Sequence, residues 1–546
     1  MRYYNILNEY TRPIVHMRQQ LLQNKKFGLV LGAGVSKHFK LPNWNELIEK
    51  IALNPEVNGE EILNYKKGKS PQASITQMLY EHYKSQEIEK LNKSGEPTSK
   101  ETENRIYKSW RNIIHAELWH DFNSDLLKPN VHPFLDTFIE IIKKSSLTIN
   151  YNFDDTIQTI INSRKTEDER RRGIKLFETV WDARLQFQNN QGIIYHPNGF
   201  LPQNLIEGSS ENLVFSEDSF ADQLIASMSG HYSTLLHHLS KNTCLFIGLS
   251  LEDNTLKHLL RQNASVNPGH YHYYIAYTPD KSALNDKQRK AIRESNFELY
   301  NLITLFLDDN EIKDLGELLQ LIDTDFETAA TISKAQAIKY VFYLTGAVGC
   351  GKTTTLQYFR NLATYSEWPE QKHPLLAVSA KTLTTDETKE VDDWVAKMFF
   401  TKNIHLMKDL KEGITVIDRT PLDPLTFTDE ANDGWKNKAI VLNESIGQKT
   451  NAFRIVRGVI LLLKGNHETI AGRIKARQKS ATREYEASDI EEMYVKFEKA
   501  FTGLTFRTIE TKELSIHEVV KKVARAIHLD EYVELDLHSV LDNLMK

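Results

Sequence analysis

The sequence has few cysteines and no long apolar stretch. Only two of its 546 residues are cysteine, Cys244 and Cys350. Two distant thiols cannot build a disulfide framework, and they exclude a zinc site made of four cysteines. No run approaches the ~18 apolar residues of a membrane helix, and the first residues lack the apolar stretch of a signal peptide. We therefore expect a soluble cytoplasmic protein without membrane contact.

The sequence also lacks a strong excess of charge. It carries 68 basic and 73 acidic residues, a formal net charge of −5. This balance disfavours a broad basic surface for nucleic acid. A hydrophobic content of 40% and a charged content of 26% are typical of globular proteins, and the length indicates more than one domain.

Apolar segments that end in a polar turn alternate with helical stretches, which predicts parallel sheets covered by helices, an α/β fold. The segments predicted to be strands and turns lie at 27–36, 146–155, 193–202, 243–254, 270–279, 340–355, 374–380, 414–418 and 458–465.

A change in composition near residue 330 suggests two main domains. We expect an N-terminal arm at 1–25, a first domain at 26–322 and a helical insert in it at about 44–140. A polar, small-residue linker at 323–339 then leads to a second domain at 340–546.

The second domain opens with a complete phosphate-binding motif. GAVGCGKT at 346–353 satisfies G-x-x-x-x-G-K-[ST], after an apolar strand and before a helical stretch. The glycines let the backbone wrap a phosphate, while Lys352 would reach the terminal phosphates and Thr353 would hold magnesium. The alternative, a chance Gly-rich turn, does not require the lysine and threonine. The predicted nucleotide-binding residues here are Gly346, Gly349, Gly351, Lys352, Thr353 and Thr354.

Two further features follow in the same domain. Asp418 and Arg419 end the predicted strand ITVID, beside the expected loop. A helical segment then carries a series of basic residues that could close over a nucleotide and stabilise charge during phosphoryl transfer. The alternative is a solvated basic helix. The series comprises Arg473, Arg477, Lys479 and Arg483.

Over residues 338–530 this arrangement resembles the thymidylate-kinase and deoxynucleoside-kinase group of P-loop proteins. The resemblance implies ATP, magnesium, and a nucleoside or nucleoside monophosphate facing Arg419. The group usually has an acidic residue at the end of its second strand. Here the predicted strand at 374–380 ends in Ser379, Ala380 and Lys381. A sensor role is therefore as credible as catalysis for this domain.

In the first domain, polar motifs stand at four predicted strand ends, which meet at one edge of a parallel sheet. GAGVS at 32–36 lacks the third glycine of a dinucleotide fingerprint, since Lys37 stands there. Each motif taken alone also fits an ordinary turn or a satisfied polar group. The candidates are Gly32, Gly34 and Ser36, then Asn152 and Asp154, then His196, and last Gly248 and Ser250.

Together these motifs resemble the sirtuin-like superfamily, in particular the branch that hydrolyses NAD in bacterial anti-phage defence. The resemblance covers about residues 20–310 and implies a Rossmann-like fold. It places Ala33 and Ser36 beside the cofactor phosphates and Ser250 beside the adenosine half. It also implies that Asn152 contacts the nicotinamide ribose and helps to place the attacking water, with Asp154 nearby.

The sequence departs from that superfamily in two ways. The four-cysteine zinc module of deacylating sirtuins cannot form, so cleavage of the glycosidic bond is favoured over acyl-lysine removal. The family histidine directly precedes glycine, whereas here Asn198 precedes Gly199 and His196 comes two residues earlier. His196 is the candidate base or ribose contact. In an alternative register Asn150 takes the role given to Asn152.

The combination suggests an NAD glycohydrolase that acts as an anti-phage, abortive-infection effector. A nucleotide, possibly a deoxynucleotide, would bind the second domain as activator or substrate. Sirtuin-like effectors often assemble, so a homo-oligomer with contacts through the helical insert is expected. The alternative is a nucleoside monophosphate kinase whose first half only binds a NAD-related ligand.

Overall fold

The computed structural model contains two parallel sheets with helices on their faces. It describes residues 2–94, 99–181, 192–228, 233–251, 254–335, 337–378, 382–428, 434–447, 455–476 and 485–546. The strands are β1 Phe27–Leu31, β2 Thr148–Asn150, β3 Glu178–Val180, β4 Ile193–Tyr195, β5 Thr243–Ile247, β6 His272–Tyr277, β7 Leu302–Leu307, β8 Lys339–Thr345, β9 Ala363–Tyr365, β10 Gly413–Asp418, β11 Val459–Lys464 and β12 Arg507–Glu510.

The α-helices alternate with these strands, except for a helical block between β1 and β2. They are α1 Tyr4–Arg18, α2 Ala33–Ser36, α3 Trp44–Leu53, α4 Glu60–Lys66, α5 Gln72–Ser94, α6 Lys100–Trp119, α7 Ile139–Lys144, α8 Thr156–Ser163, α9 Glu167–Arg171, α10 Glu217–Met228, α11 Ser233–Lys241, α12 Asn254–Val266, α13 Asp286–Tyr300, α14 Asp309–Leu318, α15 Asp323–Ile332, α16 Lys352–Leu356, α17 Thr385–Asp409, α18 Gly434–Gly447, α19 His467–Ala476, α20 Ala487–Ala500, α21 Ile516–His528 and α22 His538–Met545. In the described residues no helix combines the length and the apolar character needed to cross a membrane.

The first sheet has seven strands in the order β3-β4-β2-β1-β5-β6-β7, and all its recorded pairings are parallel. All five residues of β1 are buried, as expected for a parallel strand covered on both faces. The strand order reverses beside β1, because β2 lies on one side of it and β5 on the other. This arrangement agrees with a Rossmann-like fold, in which ligands bind at the carboxyl ends of the strands near such a reversal.

The second sheet has five parallel strands in the order β12-β11-β8-β10-β9. β8 lies at its centre, so the loops after β8 and β10 lie side by side. The predicted strands at 414–418 and 458–465 are confirmed as β10 and β11. The prediction of a strand at 374–380 is wrong, because Pro374–Ala377 form a 3₁₀ helix. The strand that follows β8 along the chain is instead β9, which is short and has no fully buried residue.

Helix α1 lies between the two sheets, although its sequence suggested a polar helix or arm. Its buried side includes Ile14, Val15 and Met17. Arg18 is fully buried, and its Nε lies 2.7 Å from Glu412 Oε1 while its Nη1 donates to Leu318 O at 2.6 Å. α1 is thus a structural connection between the halves.

A second polar contact joins α1 to both halves. His16 Nδ1 lies 2.6 Å from the Tyr273 hydroxyl of β6, and His16 Nε2 lies 2.7 Å from Asn361 O, which precedes β9. The Asn361 amide donates to Tyr271 O at 3.1 Å. The His528 ring lies 5.8 Å from the His16 ring. The two sheets are therefore tied together by buried hydrogen bonds as well as by apolar packing.

One apolar core extends from the first sheet to the second. It includes Leu29 and Leu245 of the first sheet, Val341 and Leu344 of the second, and Ile14 of α1. A separate cluster fills the helical block around α3, α5 and α6 and also takes in residues next to the strand ends.

Candidate functional site

The carboxyl ends of β1, β2, β4 and β5 hold the polar residues predicted from the sequence. The loop after β1 is bound to β5, since Gly32 N donates to Ile247 O at 2.9 Å. The segment after β2 is bound to β1 through Tyr151 N and Leu31 O at 2.9 Å. The parallel register therefore brings these loops to one edge of the sheet.

A chain of hydrogen bonds connects three of the predicted residues. The Asn152 amide donates to Ser36 Oγ at 2.8 Å and to Gly32 O at 3.0 Å. Ser36 Oγ in turn donates to Asp154 Oδ2 at 2.7 Å. Thr156 N donates to Asp154 Oδ1 at 3.1 Å. Ser36, predicted beside the phosphates, therefore contacts Asn152 and Asp154 in this arrangement.

Asp154 is the carboxylate of this network, and its side chain is buried. Burial raises the pKa of Asp154, because the charged form loses solvation, while hydrogen bonds from Thr156 and Ser36 act in the opposite direction. A buried carboxylate can stabilise a positive charge that develops close to it.

The alternative asparagine, Asn150, has a different position. It is the last residue of β2, and its Oδ1 accepts from Asn152 N at 3.2 Å. The amide of Asn152, not that of Asn150, reaches Ser36. The hydrogen bonds with Ser36 and Gly32 thus involve Asn152, and which of the two asparagines is functional stays a prediction.

His196 is fully buried behind Asn152. Its Nδ1 lies 2.7 Å from Asn152 O, and its Nε2 lies 2.7 Å from Gln158 Nε2. Burial lowers the pKa of His196 to about 4, and the hydrogen bond to Asn152 offsets this only in part, so the ring is neutral at pH 7. The ring thus contacts the main chain of Asn152, and its predicted role as base or ribose contact stays a prediction.

The glycines of this edge fit closely against each other. A Cβ on Gly34 would lie 2.8 Å from Gly248 Cα, and one on Gly32 would lie 2.6 Å from Gly248 O. Gly248 itself has a φ of 72°. Glycine at these positions is thus needed for contact between the loops after β1 and β5. Ala33 is half-buried and Ser250 exposed, and their predicted contacts with a cofactor stay predictions.

The loop after β8 carries the Gly-rich motif at 346–353. Gly346, Gly349 and Gly351 have φ values of 141°, 79° and 103°, which favour glycine. Lys352 Nζ donates to Gly346 O at 3.0 Å and to Ala347 O at 2.9 Å. Around Gly351 a Cβ would meet no atom within 4 Å, so its requirement for glycine is conformational.

Thr353 and Asp418 meet beside this loop. Thr353 Oγ1 donates to Asp418 Oδ2 at 2.9 Å. Asp418 Oδ1 is buried without a hydrogen-bond partner in the described part of the chain, and burial raises the pKa of Asp418. A hydroxyl and a carboxylate fit magnesium, which takes oxygen ligands and is usually completed by phosphates and water. Across the described ranges no group of three or more His, Cys, Asp and Glu could hold a metal.

An acidic residue, Glu367, lies two residues after β9. Its Oε1 lies 2.7 Å from Arg419 Nε. Burial raises the pKa of Glu367, but the attraction of Arg419, Lys352 and Lys402 outweighs this, so the pKa lies below its usual value. The sequence analysis looked for an acid after 374–380, whereas the strand of the structure is β9 and Glu367 follows it.

Arg419 has a second carboxylate partner that the sequence reading missed. Its Nη1 lies 3.0 Å from Asp423 Oδ2, and Thr345 Oγ1 donates to the same carboxylate oxygen at 2.6 Å. Asp423 thus connects the end of β8 with the end of β10. Its spacing of four residues from Arg419 was visible in the sequence, but no known pattern drew attention to it.

A cavity of about 510 Å³ opens beside the Gly-rich loop and Arg419. Aromatic and aliphatic side chains are the most numerous in its wall, and charged groups are interspersed among them. It is lined by Val348, Gly349, Glu367, Trp368, Lys372, Leu376, Leu383, Thr388, Val391, Asp392, Val395, Phe399, Arg419, Asp423, Pro424, Phe427, Thr428, Lys438, Ile474 and Tyr485. Its size and mixed lining suit a small organic ligand.

The basic segment is only partly described. Arg473 is exposed on α19, and the adjacent Ile474 contacts the Gly349 position of the loop. Arg477, Lys479 and Arg483 lie outside the described residues, so their predicted role stays a prediction.

Comparison with known families agrees with the geometry of the first sheet. The sequence model of the family described as SIR2-like domain matches residues 146–300. The chain therefore contains a sirtuin-like region, and because SIR2-like domains bind NAD, this region fits an NAD-dependent enzyme. No curated protein matches the chain. The match includes Asn152, Asp154, His196 and Gly248, while the bonded partner Ser36 lies before it.

Proposed function

We propose that the first half hydrolyses NAD to nicotinamide and ADP-ribose, as an effector of anti-phage defence, under the control of a nucleotide bound to the second half. The observation that carries the proposal is the hydrogen-bonded chain from Asn152 through Ser36 to Asp154. It lies at the strand edge where dinucleotides bind in Rossmann-like sheets.

The reaction requires little covalent chemistry from the protein. The bond between the nicotinamide nitrogen and ribose C1′ breaks, and its electron pair leaves with nicotinamide. Water adds at C1′ and releases one proton to solvent. Asp154 would stabilise the positive charge that develops on the ribose, and Asn152 would orient the water. His196 would act behind them, by holding the main chain of Asn152.

Control by the second half is proposed from the Gly-rich loop and its neighbours. Lys352 and the loop backbone would hold nucleotide phosphates, and Thr353 and Asp418 would hold magnesium. A bound nucleotide can activate the first half only if it binds the active state more tightly, with about 1.4 kcal/mol for each tenfold shift. We further propose that the chain forms a homo-oligomer through its helical block.

The test is cleavage of etheno-NAD, followed by fluorescence, with a panel of deoxynucleoside mono- and triphosphates. We expect nucleotide-dependent cleavage that Asn152→Ala abolishes and that Lys352→Ala uncouples from the nucleotide. Asn123→Ala, at a surface 3₁₀ helix, is the control and should retain activity. Absence of NAD loss with every nucleotide would refute the proposal.

A second function is favoured by Glu367 at the end of β9. A carboxylate held against Arg419 in the wall of the cavity suits the acceptor site of a nucleoside or nucleoside monophosphate kinase. In that case the first half would only bind a NAD-related ligand. Release of ADP from ATP with nucleosides and monophosphates tests this function. Glu367→Gln should abolish turnover, whereas Asn152→Ala should leave it intact.

A further inference from the structure

Gln158 is a buried polar residue that the mechanism above does not use. It lies on α8, which begins directly after the Asp154 segment, and its side chain is 5% exposed. Gln158 Nε2 lies 2.7 Å from His196 Nε2 and 3.4 Å from Thr179 Oγ1. It therefore contacts the ring that supports Asn152, on the side away from Asn152.

The partners of His196 determine where its proton lies. The backbone oxygen of Asn152 can only accept, so Nδ1 of the neutral ring carries the hydrogen. Nε2 is then an acceptor, and the amide N–H of Gln158 is the donor that suits it. The hydrogen bonds then run in one direction: Gln158 donates to His196, and His196 donates to the carbonyl oxygen of Asn152.

These hydrogen bonds act on the residue at the centre of the site. The Asn152 carbonyl is bound by His196, while the Asn152 side chain is bound to Ser36 and Gly32. If the ring hydrogen were on Nε2 instead of Nδ1, the lone pair of Nδ1 would face the Asn152 carbonyl oxygen. The support would then become a repulsion, and the amide of Asn152 would shift.

We propose that Gln158 is a positioning residue for NAD cleavage, which fixes His196 as the Nδ1–H tautomer and so holds Asn152 in place. The inference rests on the proposed hydrolysis of NAD. It differs from a packing role, because packing requires the volume of Gln158 but not its hydrogen-bond donor.

Two substitutions separate these roles. Gln158→Met keeps the volume and removes the donor, and it should lower kcat for NAD cleavage by about tenfold to hundredfold with little change in KM. Gln158→Glu donates to Nε2 only while its carboxyl is protonated. If that proton passes to the ring, the carboxylate accepts from Nε2–H and Nδ1 keeps its own hydrogen. As the pH rises and this proton is lost, the ring hydrogen moves to Nε2. Activity of Gln158→Glu should therefore fall at high pH, where the wild type retains it.

The control is Asn162→Asp, which adds the same charge to an exposed position of α8 and should leave the pH profile unchanged. Nitrogen-15 NMR of labelled histidine gives a readout independent of activity, with the His196 signals assigned from His196→Gln. We expect an Nδ1–H signature in the wild type and a changed one in Gln158→Glu.

The possible results distinguish the two proposals. A wild type that cleaves NAD while Gln158→Met is fully active, or a wild-type ring protonated at Nε2, would overturn the role of Gln158. If no NAD is cleaved under any condition, the proposed hydrolysis fails, and the NMR signature alone still decides the tautomer.

Discussion

Buried histidines between the two sheets should make the protein unstable in mild acid. His16, His270 and His528 lie where α1, β6 and α21 meet. Burial lowers the pKa of His16 and of His270 to about 4, and it lowers the pKa of His528 well below its usual value. All three rings are therefore neutral in the folded protein at pH 6, whereas an unfolded chain binds protons near its usual pKa of about 6.5.

The sign and size of the effect follow from this difference. Because the folded pKa is depressed, stability is complete above about pH 6.5 and is lost as the pH falls toward about 4. Between about pH 7.5 and about pH 5.5, each unfolded histidine gains one proton that the folded one does not bind. Each therefore removes about 1.4 kcal/mol from the free energy of unfolding, about 4 kcal/mol for the three.

The assay is urea unfolding of the wild type and His16→Gln at both pH values. The substitution should reduce the loss of stability on acidification by about 1.4 kcal/mol, because one fewer buried ring is held neutral. His120→Gln, whose side chain is 70% exposed, is the control and should show the full wild-type loss. An equal loss in the wild type and in His16→Gln would refute the argument that this ring is held neutral.

Two further predictions concern the candidate sites. Gly34→Ala should lower the free energy of unfolding by about 1–3 kcal/mol, because its Cβ would lie 2.8 Å from Gly248 Cα. Gly472→Ala, in a helix and open to solvent, should raise it slightly, and equal effects in the two variants by denaturant unfolding would contradict the loop contact. Asp423→Ala should cost about 3–5 kcal/mol and weaken ATP binding, because it leaves the buried Arg419 with one carboxylate instead of two. The exposed Asp542→Ala should change neither, and calorimetric titration of ATP showing no difference between the two would count against this role.

The sequence was sufficient to predict the central strands and to predict that polar residues at their ends lie together. β1, β5, β8 and β11 are apolar runs followed by a turn, and their alternation with helical stretches predicts buried parallel strands. Ser36, Asn152 and Asp154 could be expected together because parallel strands end at one edge. Their mutual hydrogen bonds could not, since they depend on the register between β1 and β2.

The remaining features depend on contacts between distant residues. β9 has three half-buried or exposed residues and carries no apolar pattern, so Glu367 was missed and an apolar 3₁₀ segment was taken for the strand. His196 was predicted to be a site residue, but the sequence did not show that Gln158 and the main chain of Asn152 are the hydrogen-bond partners of its two ring nitrogens. Neither partner can be read from residues near His196.

The continuous apolar core limits how the two halves of the chain can be studied separately. Cutting the chain near residue 330 would divide the core to which Leu29 and Val341 both belong. Each fragment would then expose apolar surface, which favours aggregation. Excised halves are therefore poor reagents for asking what each half does. Single substitutions in the intact chain can inactivate one half while the other half keeps its native packing.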